Sequence, residues 1–330
     1  MTAALVVVIA MALVFNYTNG FHDSSNAIAI AISTRALTPR VALAVAAVMN
    51  VVGALLSTGV AVTVAKGIID TPLGGAGLRV LFASLVGAVL WNVTTWYFGL
   101  PSSSSQALIG GMVGAGLAAG IPVYWVSGVV GKVVLPMVLS PVVGFIGAYV
   151  VMIAVYWVLR RANPHKVERG FRAAQIVSSA SLALGHGLQD AQKSMGVILI
   201  ALIVAGRHHG DAVPLWVILV CAAAMAAGTY AGGWRIMRTL GRRIFPVRPP
   251  HGFVAEATSS IVLYLTTFLI AAPISTTHVI TSSVMGVGST ERVSAVRWGV
   301  AREIVVAWVM TLPAAAVVAA LAYGATNLVA

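Results

Sequence analysis

Apolar segments long enough to cross a lipid bilayer follow one another along the chain, and they constrain its fold more than any other feature. A helix crosses a bilayer with about 20 apolar residues. Charged residues make up 8% of the chain, whereas soluble domains carry about 25%. The sequence therefore predicts an all-α polytopic membrane protein. The apolar segments are residues 2–17, 24–34, 41–65, 80–100, 104–120, 122–159, 173–186, 194–206, 212–232, 256–272, 279–290 and 293–328.

Basic residues are concentrated between these segments, five in residues 160–172 and five in residues 235–248, and the net charge is +12. Loops rich in lysine and arginine face the cytoplasm, so we expect both there, and we expect no nucleic-acid partner. The single cysteine, Cys221, excludes an internal disulfide framework. The first 15 residues lack the basic start of a signal peptide and are predicted to form a membrane segment.

Two pairs of matching motifs indicate an internal repeat. "TNGFHDSSNA" (18–27) aligns with "LGHGLQDAQKS" (184–194), so that Asp23 matches Asp190 at an offset of 167. "TTWYFGLPSSSSQ" (94–106) aligns with "TTFLIAAPISTTH" (266–278), so that Pro101 matches Pro273 at an offset of 172. The sequence therefore predicts a first repeat over 1–159, a basic cytoplasmic linker over 160–172 and a second repeat over 173–330.

The distribution of charge predicts that the two repeats are inverted. The basic segment 235–248 corresponds to residues 66–79, which contain one lysine, one arginine and one aspartate. Corresponding loops are therefore expected on opposite sides of the membrane, which requires an odd number of crossings in each repeat. Segments 80–120 and 256–290 must begin and end on one side, and we predict re-entrant helical hairpins there. In segment 122–159 we expect Pro136 and Pro141 to break the helix.

Four polar clusters lie inside apolar segments, at 18–26, 102–106, 185–194 and 275–278. A charged side chain at the bilayer centre costs at least about 2.5–3.5 kcal/mol, so Asp23 and Asp190 require a compensating role. We interpret the clusters as breaks in helices whose carboxylates, amides and carbonyls bind a cation. Candidate cation ligands are Asp23, Asn26, Asp190 and Asn19.

The serine and threonine runs suit an oxyanion. Each run follows a proline and opens a helix, so its hydroxyl and backbone N–H groups point the same way. Lys193 supplies a positive charge at the same depth. His22 and His186 lie beside the aspartates, and a metal-binding or proton-carrying role for them stays open. Candidate oxyanion ligands are Ser103, Ser104, Ser105, Ser275, Thr276, Thr277 and Lys193.

These motifs resemble those of the inorganic phosphate transporter (PiT) family. "NGFHDSSNAIAIAISTRAL" and "SLALGHGLQDAQKSMGVI" are similar to its two signature copies, and "LPSSSSQALIGG" and "APISTTHVITSSVMGVG" to its paired hairpin motifs. The short linker resembles the compact bacterial members. The resemblance implies a multi-pass protein of the bacterial inner membrane that imports inorganic phosphate with a cation. It further implies a homodimer in contact with lipid, with a transport domain that slides against a dimeric scaffold.

The same resemblance implies that Asp23, Asn26 and Asp190 take the cation and shape the phosphate site, while the hydroxyls hold phosphate. Two departures bear on the coupling ion. The family has asparagine immediately before each aspartate, where this chain has His22 and Gln189. Sodium-coupled members have asparagine where this chain has Lys193. Because like charges repel, the lysine favours a proton or a neutral metal–phosphate complex over sodium, although all three remain open.

Two other functions compete with phosphate transport. A sulfate permease shares the family fold, and its substrate would also suit a serine and threonine cradle. Phosphate monoanion can donate hydrogen bonds to Asp23 or Asp190, whereas sulfate cannot, so the retained carboxylates favour phosphate. Two intramembrane aspartates could also form the dyad of a protease. Such a dyad does not require the duplicated hydroxyl clusters, so we expect no enzyme and no cofactor.

Overall fold

The computed structural model describes residues 1–66 and 68–329, and these residues are helical almost throughout. Isolated β-pairing occurs between Ile69 and Val123. The α-helices are α1 (Thr2–Ser33), α2 (Pro39–Leu56), α3 (Gly59–Lys66), α4 (Gly75–Phe98), α5 (Ser104–Ala118), α6 (Leu135–Leu159), α7 (Pro164–His186), α8 (Gln192–Val204), α9 (Leu215–Ala231), α10 (Trp234–Arg238), α11 (Pro249–Leu265), α12 (Thr276–Glu291) and α13 (Trp298–Val329).

Short π-helical segments join several of these helices. They comprise Trp125–Val134 before α6, Gly187–Ala191 between α7 and α8, Thr239–Arg243 after α10 and Thr266–Ile270 after α11. Among the described residues, seven helices are long and apolar enough to cross a membrane, or up to eight if the bent pair Leu215–Ala231 and Arg235–Gly241 forms one span. The predicted all-α polytopic class is therefore confirmed.

Two helical hairpins enter the bundle, as predicted. The first joins α4 to α5, and its turn begins at Gly99, whose φ of 67° is in the left-handed region. The second joins α11, through its π-helical end, to α12, and its turn begins at Ala271 with a φ of 50°. Helices α5 and α12 have 15 and 16 residues. At a rise of 1.5 Å per residue they are shorter than the roughly 30 Å of a bilayer core, which fits re-entrant hairpins.

Small residues allow the helices to pack closely in two matching arrangements. A Cβ at Gly114 of α5 would lie 2.0 Å from the carbonyl oxygen of Ala316 in α13, so the two backbones touch. A Cβ at Gly286 of α12 would lie 2.3 Å from the carbonyl oxygen of Phe145 in α6. Each hairpin is therefore held against one long helix by backbone contact, which is the packing that small residues permit in membranes.

The polar segments lie between two apolar clusters. One cluster includes Leu5, Val8 and Phe15 from the first half of α1 together with buried residues of α4, α5, α8 and α9. The other takes Ile28 and Ile30 from the second half of α1 together with buried residues of α6, α7, α11 and α12. The intervening part of α1 therefore carries its polar side chains through the middle of the bundle.

The structure differs from the sequence expectation at two places. Helix α1 runs without a break from Thr2 to Ser33, so the break predicted at 18–26 is wrong; its equivalent in the second half is the π-helical turn Gly187–Ala191. Residues 125–159 are also continuous, and neither proline breaks them. Pro136 lies where the π-helical segment passes into α6, and Pro141 is accommodated inside α6.

Candidate ion-binding site

Asp23 lies where the turns of both hairpins reach α1. Its Oδ1 accepts a hydrogen bond from Thr277 Oγ1 at 3.2 Å and lies 2.6 Å from Nδ1 of His22. Its Oδ2 accepts a hydrogen bond from the backbone N–H of Ser104 at 3.4 Å. Asn26, one turn later, donates from Nδ2 to Thr277 Oγ1 at 2.6 Å. A single carboxylate therefore contacts the first turns of α5 and α12.

Asp190 occupies the equivalent place in the second half, inside the π-helical turn. Its Oδ2 accepts a hydrogen bond from Thr276 Oγ1 at 3.1 Å and lies 2.9 Å from Nε2 of His186. A π-helical turn widens the helix by one residue and is common at functional sites. Here it places the carboxylate beside α12, opposite the position at which Asp23 meets α5.

The ammonium group of Lys193 lies among three oxygen atoms. It forms an ion pair with Oδ1 of Asp190, donates to Oγ of Ser105, and donates to the carbonyl oxygen of Ile274 at 3.1 Å. Ser105 Oγ in turn donates to the same carbonyl oxygen at 3.2 Å. Carboxylate, hydroxyl and carbonyl oxygens are the ligands that hard cations prefer. The lysine therefore places its positive charge where a small cation would find oxygen ligands.

The first hydroxyl of each run caps a helix. Ser103 Oγ accepts from the backbone N–H of Gln106 at 3.3 Å, and Ser275 Oγ accepts from the backbone N–H of His278 at 3.2 Å. Both are N-cap residues, which confirms that each run opens a helix. The start of α5 thereby directs its positive dipole end and the N–H of Ser104 toward Asp23, and the start of α12 meets both aspartates through the hydroxyls of Thr276 and Thr277.

The side chains predicted to form the site are buried, with no more than 4% of any of them exposed. A substrate therefore reaches them only after some helices move. The hydrogen bonds bring together residues from all four polar clusters, whereas Asn19 has no hydrogen-bond partner for either side-chain polar atom. The buried residues are Asn19, His22, Asp23, Asn26, Ser103, Ser104, Ser105, His186, Asp190, Lys193, Ser275, Thr276 and Thr277.

The residues immediately before the two aspartates fix the hairpins, a role that sequence reasoning missed. His22 Nε2 lies 2.9 Å from Thr95 Oγ1 at the end of α4. Gln189 donates from Nε2 to Thr267 Oγ1 at 2.8 Å and accepts from the backbone N–H of Ile274 at 3.4 Å. Thr95 and Thr267 match at the offset of 172, so the motif alignment already contained this signal.

A second missed group orients His186. Oδ1 of Asn50 on α2 accepts a hydrogen bond from His186 Nδ1 at 3.0 Å, and its Nδ2 donates to Ser24 Oγ and Thr229 Oγ1, each at 2.9 Å. Because Nδ1 is engaged by Asn50, Nε2 of the same ring is directed at Asp190. Asn50 lies in an ordinary apolar segment of the sequence, so nothing local distinguished it.

Some buried polar atoms around Asp23 have no partner. They are Oδ1 and Nδ2 of Asn19, Oδ1 of Asn26 and Oγ of Ser104. An unpartnered buried polar atom costs roughly 1–3 kcal/mol, so such atoms beside a carboxylate indicate a place for a ligand. Among the described residues, no group of three histidine, cysteine, aspartate or glutamate side chains could hold a metal ion.

Comparison with known proteins gives the family. The model of the "Phosphate transporter family" matches residues 19–167 and 159–319. The chain belongs to the phosphate transporter family. With seven helices long and apolar enough to cross a membrane, it is a multi-pass protein of the bacterial plasma membrane, and it is a transporter, not an enzyme. The interpretation as an intramembrane protease is therefore wrong.

The sequences of relatives align with nearly the whole length of this chain. A "Probable low-affinity inorganic phosphate transporter" of Mycobacterium tuberculosis (strain CDC 1551 / Oshkosh) is 50% identical over 98% of this chain and 78% of the relative. A protein of the same description in Rhizobium meliloti (strain 1021) is 47% identical over 99% of this chain and 97% of the relative. Another in Bacillus subtilis (strain 168) is 43% identical over 98% of this chain and 97% of the relative.

A solved structure has the same fold. It is described as "The sodium-dependent phosphate transporter", and it superposes with a TM-score of 0.90 over 100% of both chains at 23% sequence identity. This likeness supports the arrangement of helices and hairpins. The predicted resemblance to the inorganic phosphate transporter family is therefore confirmed by family, relatives and fold.

Proposed function

We propose that the chain is a secondary active transporter that imports inorganic phosphate together with a cation. The proposal assigns phosphate to the space between the first turns of α5 and α12, and the coupling cation to the surroundings of Asp23. It rests on family membership, on the convergence of two helix N-termini with two aspartates, and on the unpartnered polar atoms beside Asp23. Helix N-termini and hydroxyl groups bind oxyanions.

The proposed phosphate ligands face both aspartates. Ser104 offers a hydroxyl with no partner, and Thr276 and Thr277 now donate to the carboxylates of Asp190 and Asp23. A phosphate monoanion can replace these contacts, because its own O–H groups donate to carboxylates while its other oxygens accept from hydroxyls and N–H groups. Sulfate has no proton to donate at neutral pH, and the two carboxylates would repel it. The remaining proposed ligands are Ser103, Ser105, Ser275 and Lys193.

The coupling cation is proposed to be a proton, or a metal carried as a neutral phosphate complex, in preference to sodium. The observation that carries this choice is the ammonium of Lys193 among the oxygens of Asp190, Ser105 and Ile274. A sodium ion there would displace or repel the lysine. Asp23, which lies with Asn19 and Asn26, has no lysine or arginine partner among the described residues, and its basic neighbour is His22.

Two inverted repeats, 1–159 and 173–330, are proposed to give this transporter its two access states. The order of the helices supports an internal repeat, because an offset of 172 residues aligns α4, α5 and α6 with α11, α12 and α13. The chain is further proposed to form a homodimer embedded in lipid. Large apolar side chains on the outer faces of α6 and α13 are exposed, for example Val151, Trp157 and Val309, and only lipid or a second copy of the chain covers such surfaces.

Uptake of radiolabelled phosphate into proteoliposomes tests this function. We expect a tenfold excess of unlabelled phosphate to abolish uptake of the label, and the same excess of sulfate to leave it nearly unchanged. Asp23→Asn and Asp190→Asn should each abolish uptake while the protein still folds and inserts. Full activity of either variant would refute the site assignment, and equal competition by sulfate would refute phosphate selectivity.

A further inference from the structure

A buried glutamate lies apart from the proposed phosphate site. Glu256 on α11 is fully buried, and its carboxylate is bonded to neutral groups. Ser178 donates from Oγ to Glu256 Oε2 at 2.6 Å, and Gln175 donates from Nε2 to Oε1 at 3.2 Å. Among the described residues, no lysine, arginine or histidine forms an ion pair with it. Among the described residues Glu256 therefore differs from the other two buried carboxyl groups, since Asp23 and Asp190 each lie beside a basic side chain.

The partners of Glu256 are held in position by other helices. Gln175 Oε1 accepts from Thr34 Oγ1 at 2.6 Å, which directs the amide nitrogen of Gln175 toward the glutamate. Helix α11 makes room for this amide at Gly252, where a Cβ would lie 2.2 Å from Gln175 Nε2. Thr34 caps the end of α1, the helix that carries Asp23. Glu256 therefore contacts, through one amide, the helix that holds the proposed cation site.

The neighbouring helices bring no charged group to this carboxyl. Helices α1 and α7 present Thr34, Gln175 and Ser178, all neutral. Among the described residues, the other charged or titratable side chains on these helices form no ion pair or hydrogen bond with Glu256. On α7, Lys166, Glu168, Arg169 and Arg172 are exposed, and His186 contacts Asp190. On α1, His22 and Asp23 contact each other. On α12, Glu291 pairs with Arg248, and His278 stacks on Trp308. Tyr156 of α6 bonds to His251 of α11, and Tyr264 of α11 bonds to Ser181.

Polar groups continue from the proposed site toward Glu256. Ser179 of α7 is fully buried and donates to the carbonyl oxygen of Ala27, the residue after Asn26. Ser178 and Gln175 follow on the same helix, and Thr34 lies eleven residues after Asp23, about 16 Å along α1 at 1.5 Å per residue. This line ends at Glu256, seven residues after the start of α11, and α11 follows the basic segment 235–248 expected in the cytoplasm.

The second repeat has a buried carboxyl group at this place, and the first repeat does not. The position that matches Glu256 at the offset of 172 is Ser84, whose hydroxyl donates to the carbonyl oxygen of Val80 in its own helix at 2.7 Å. An acidic residue on one side of a duplicated protein breaks the symmetry between its two faces. A proton site with that placement distinguishes the inner side from the outer side.

We propose that Glu256 is the inner proton-binding site of the transporter, which accepts the coupled proton and releases it to the cytoplasm. This inference rests on the proposed proton coupling. Its physical basis is that a carboxyl group inside a membrane without a cationic partner binds a proton to remove its charge. When the carboxyl is protonated, its O–H donates to Ser178 Oγ, whose own hydroxyl then turns to the carbonyl oxygen of Gln175 at 3.3 Å. Loss of the proton restores the bonds seen here.

The test compares Glu256→Gln with Glu303→Gln, which makes the same chemical change at an exposed position of α13. Glutamine keeps the neutral form of the side chain but carries no proton. In proteoliposomes with equal phosphate on both sides, we expect Glu256→Gln to exchange labelled phosphate within about twofold of the original rate. Accumulation driven by an acidic exterior, and the rise in external pH that accompanies it, should fall at least tenfold. Glu303→Gln should match the unaltered protein in all three measurements.

Gradient-driven accumulation that persists in Glu256→Gln would overturn the inference, and so would loss of exchange together with accumulation in a folded variant. If Glu256→Gln does not fold, Ser178→Ala decides, because the charged carboxylate then lacks its hydroxyl donor. We expect the pH profile of uptake to shift to higher pH in that variant, and an unchanged profile would contradict the proposal. If the unaltered protein takes up phosphate with sodium and not with protons, the proposed proton coupling is wrong. That outcome differs from a failure of the Glu256 assignment, in which the unaltered protein and Glu256→Gln both accumulate phosphate with protons.

Discussion

Lys193 offers the sharpest test of the proposal that the chain does not use sodium. Its ammonium neutralises Asp190 inside the bundle and lies among three oxygen atoms. Replacing it by asparagine removes the charge and leaves Asp190 as a buried carboxylate with hydrogen bonds from Thr276 and a contact to His186. Removing one partner of a buried ion pair costs about 3–5 kcal/mol. We therefore expect Lys193→Asn to be less stable by that amount without sodium.

Sodium should recover much of this loss. The oxygens of Asp190, Ser105 and Ile274 that now surround the ammonium would bind the ion, with the introduced amide as a further ligand. A ligand at 100 times its dissociation constant stabilises the folded state by about 2.7 kcal/mol. The variant should thus become dependent on sodium, while the unaltered protein should be indifferent to it.

The assay is thermal unfolding in detergent, in choline chloride and in sodium chloride of equal ionic strength. Lys132→Asn is the matched control, because Lys132 is exposed before α6 and has no role in the site. It should unfold as the unaltered protein does in both salts. A Lys193→Asn variant that loses no stability, or loses stability that sodium does not restore, would refute the reasoning.

Two further predictions concern the hairpins. Ala271→Gly should raise the free energy of unfolding by about 1 kcal/mol, because alanine holds a left-handed φ of 50° there. Gly99→Ala should lower the free energy of unfolding, since Gly99 has a φ of 67° at the matching turn. Denaturant titration measures both, and equal stability of the two variants would contradict this. Gly114→Ala should destabilise the protein by about 1–3 kcal/mol, because its Cβ would lie 2.0 Å from a carbonyl oxygen of α13. Gly170→Ala, whose Cβ meets nothing within 4 Å, is the control and should not lower stability, since alanine is the better helix former inside α7.

The sequence was sufficient to predict the parts of the structure that depend on pattern. Long apolar segments predict the helices, and the paired motifs predict that Asp23 and Asp190 meet the starts of α5 and α12. The N-caps Ser103 and Ser275 were predictable for a local reason, since a hydroxyl before a helix bonds the orphan N–H groups of its first turn.

The continuity of α1 was not predictable from composition. A cluster of polar residues in an apolar helix predicts a break, but several of these side chains bond within their own helix. Thr18 donates to the carbonyl oxygen of Phe15 at 2.7 Å, and Ser25 donates to that of Phe21 at 2.7 Å. Such bonds satisfy hydroxyl groups without disrupting the backbone hydrogen bonds.

Hydrogen bonds between residues far apart in sequence were also not predictable from the sequence. Asn50 and Thr229 are separated by 179 residues, and Gln175 and Glu256 by 81, so neither bond follows from spacing. Each pair depends on the packing of helices that only the folded chain brings together. The motif repeat, by contrast, carried long-range information, because it marked Thr95 and Thr267 as equivalent positions behind the two turns.

Phosphate uptake by this transporter is proposed to be coupled to a proton or a metal–phosphate complex and not to sodium. The most direct measurement is phosphate uptake into proteoliposomes with sodium, proton and divalent-metal gradients imposed one at a time. We expect accumulation with an acidic exterior or with a divalent metal, and none above background with sodium alone. Uptake that requires sodium and ignores the proton gradient would contradict it.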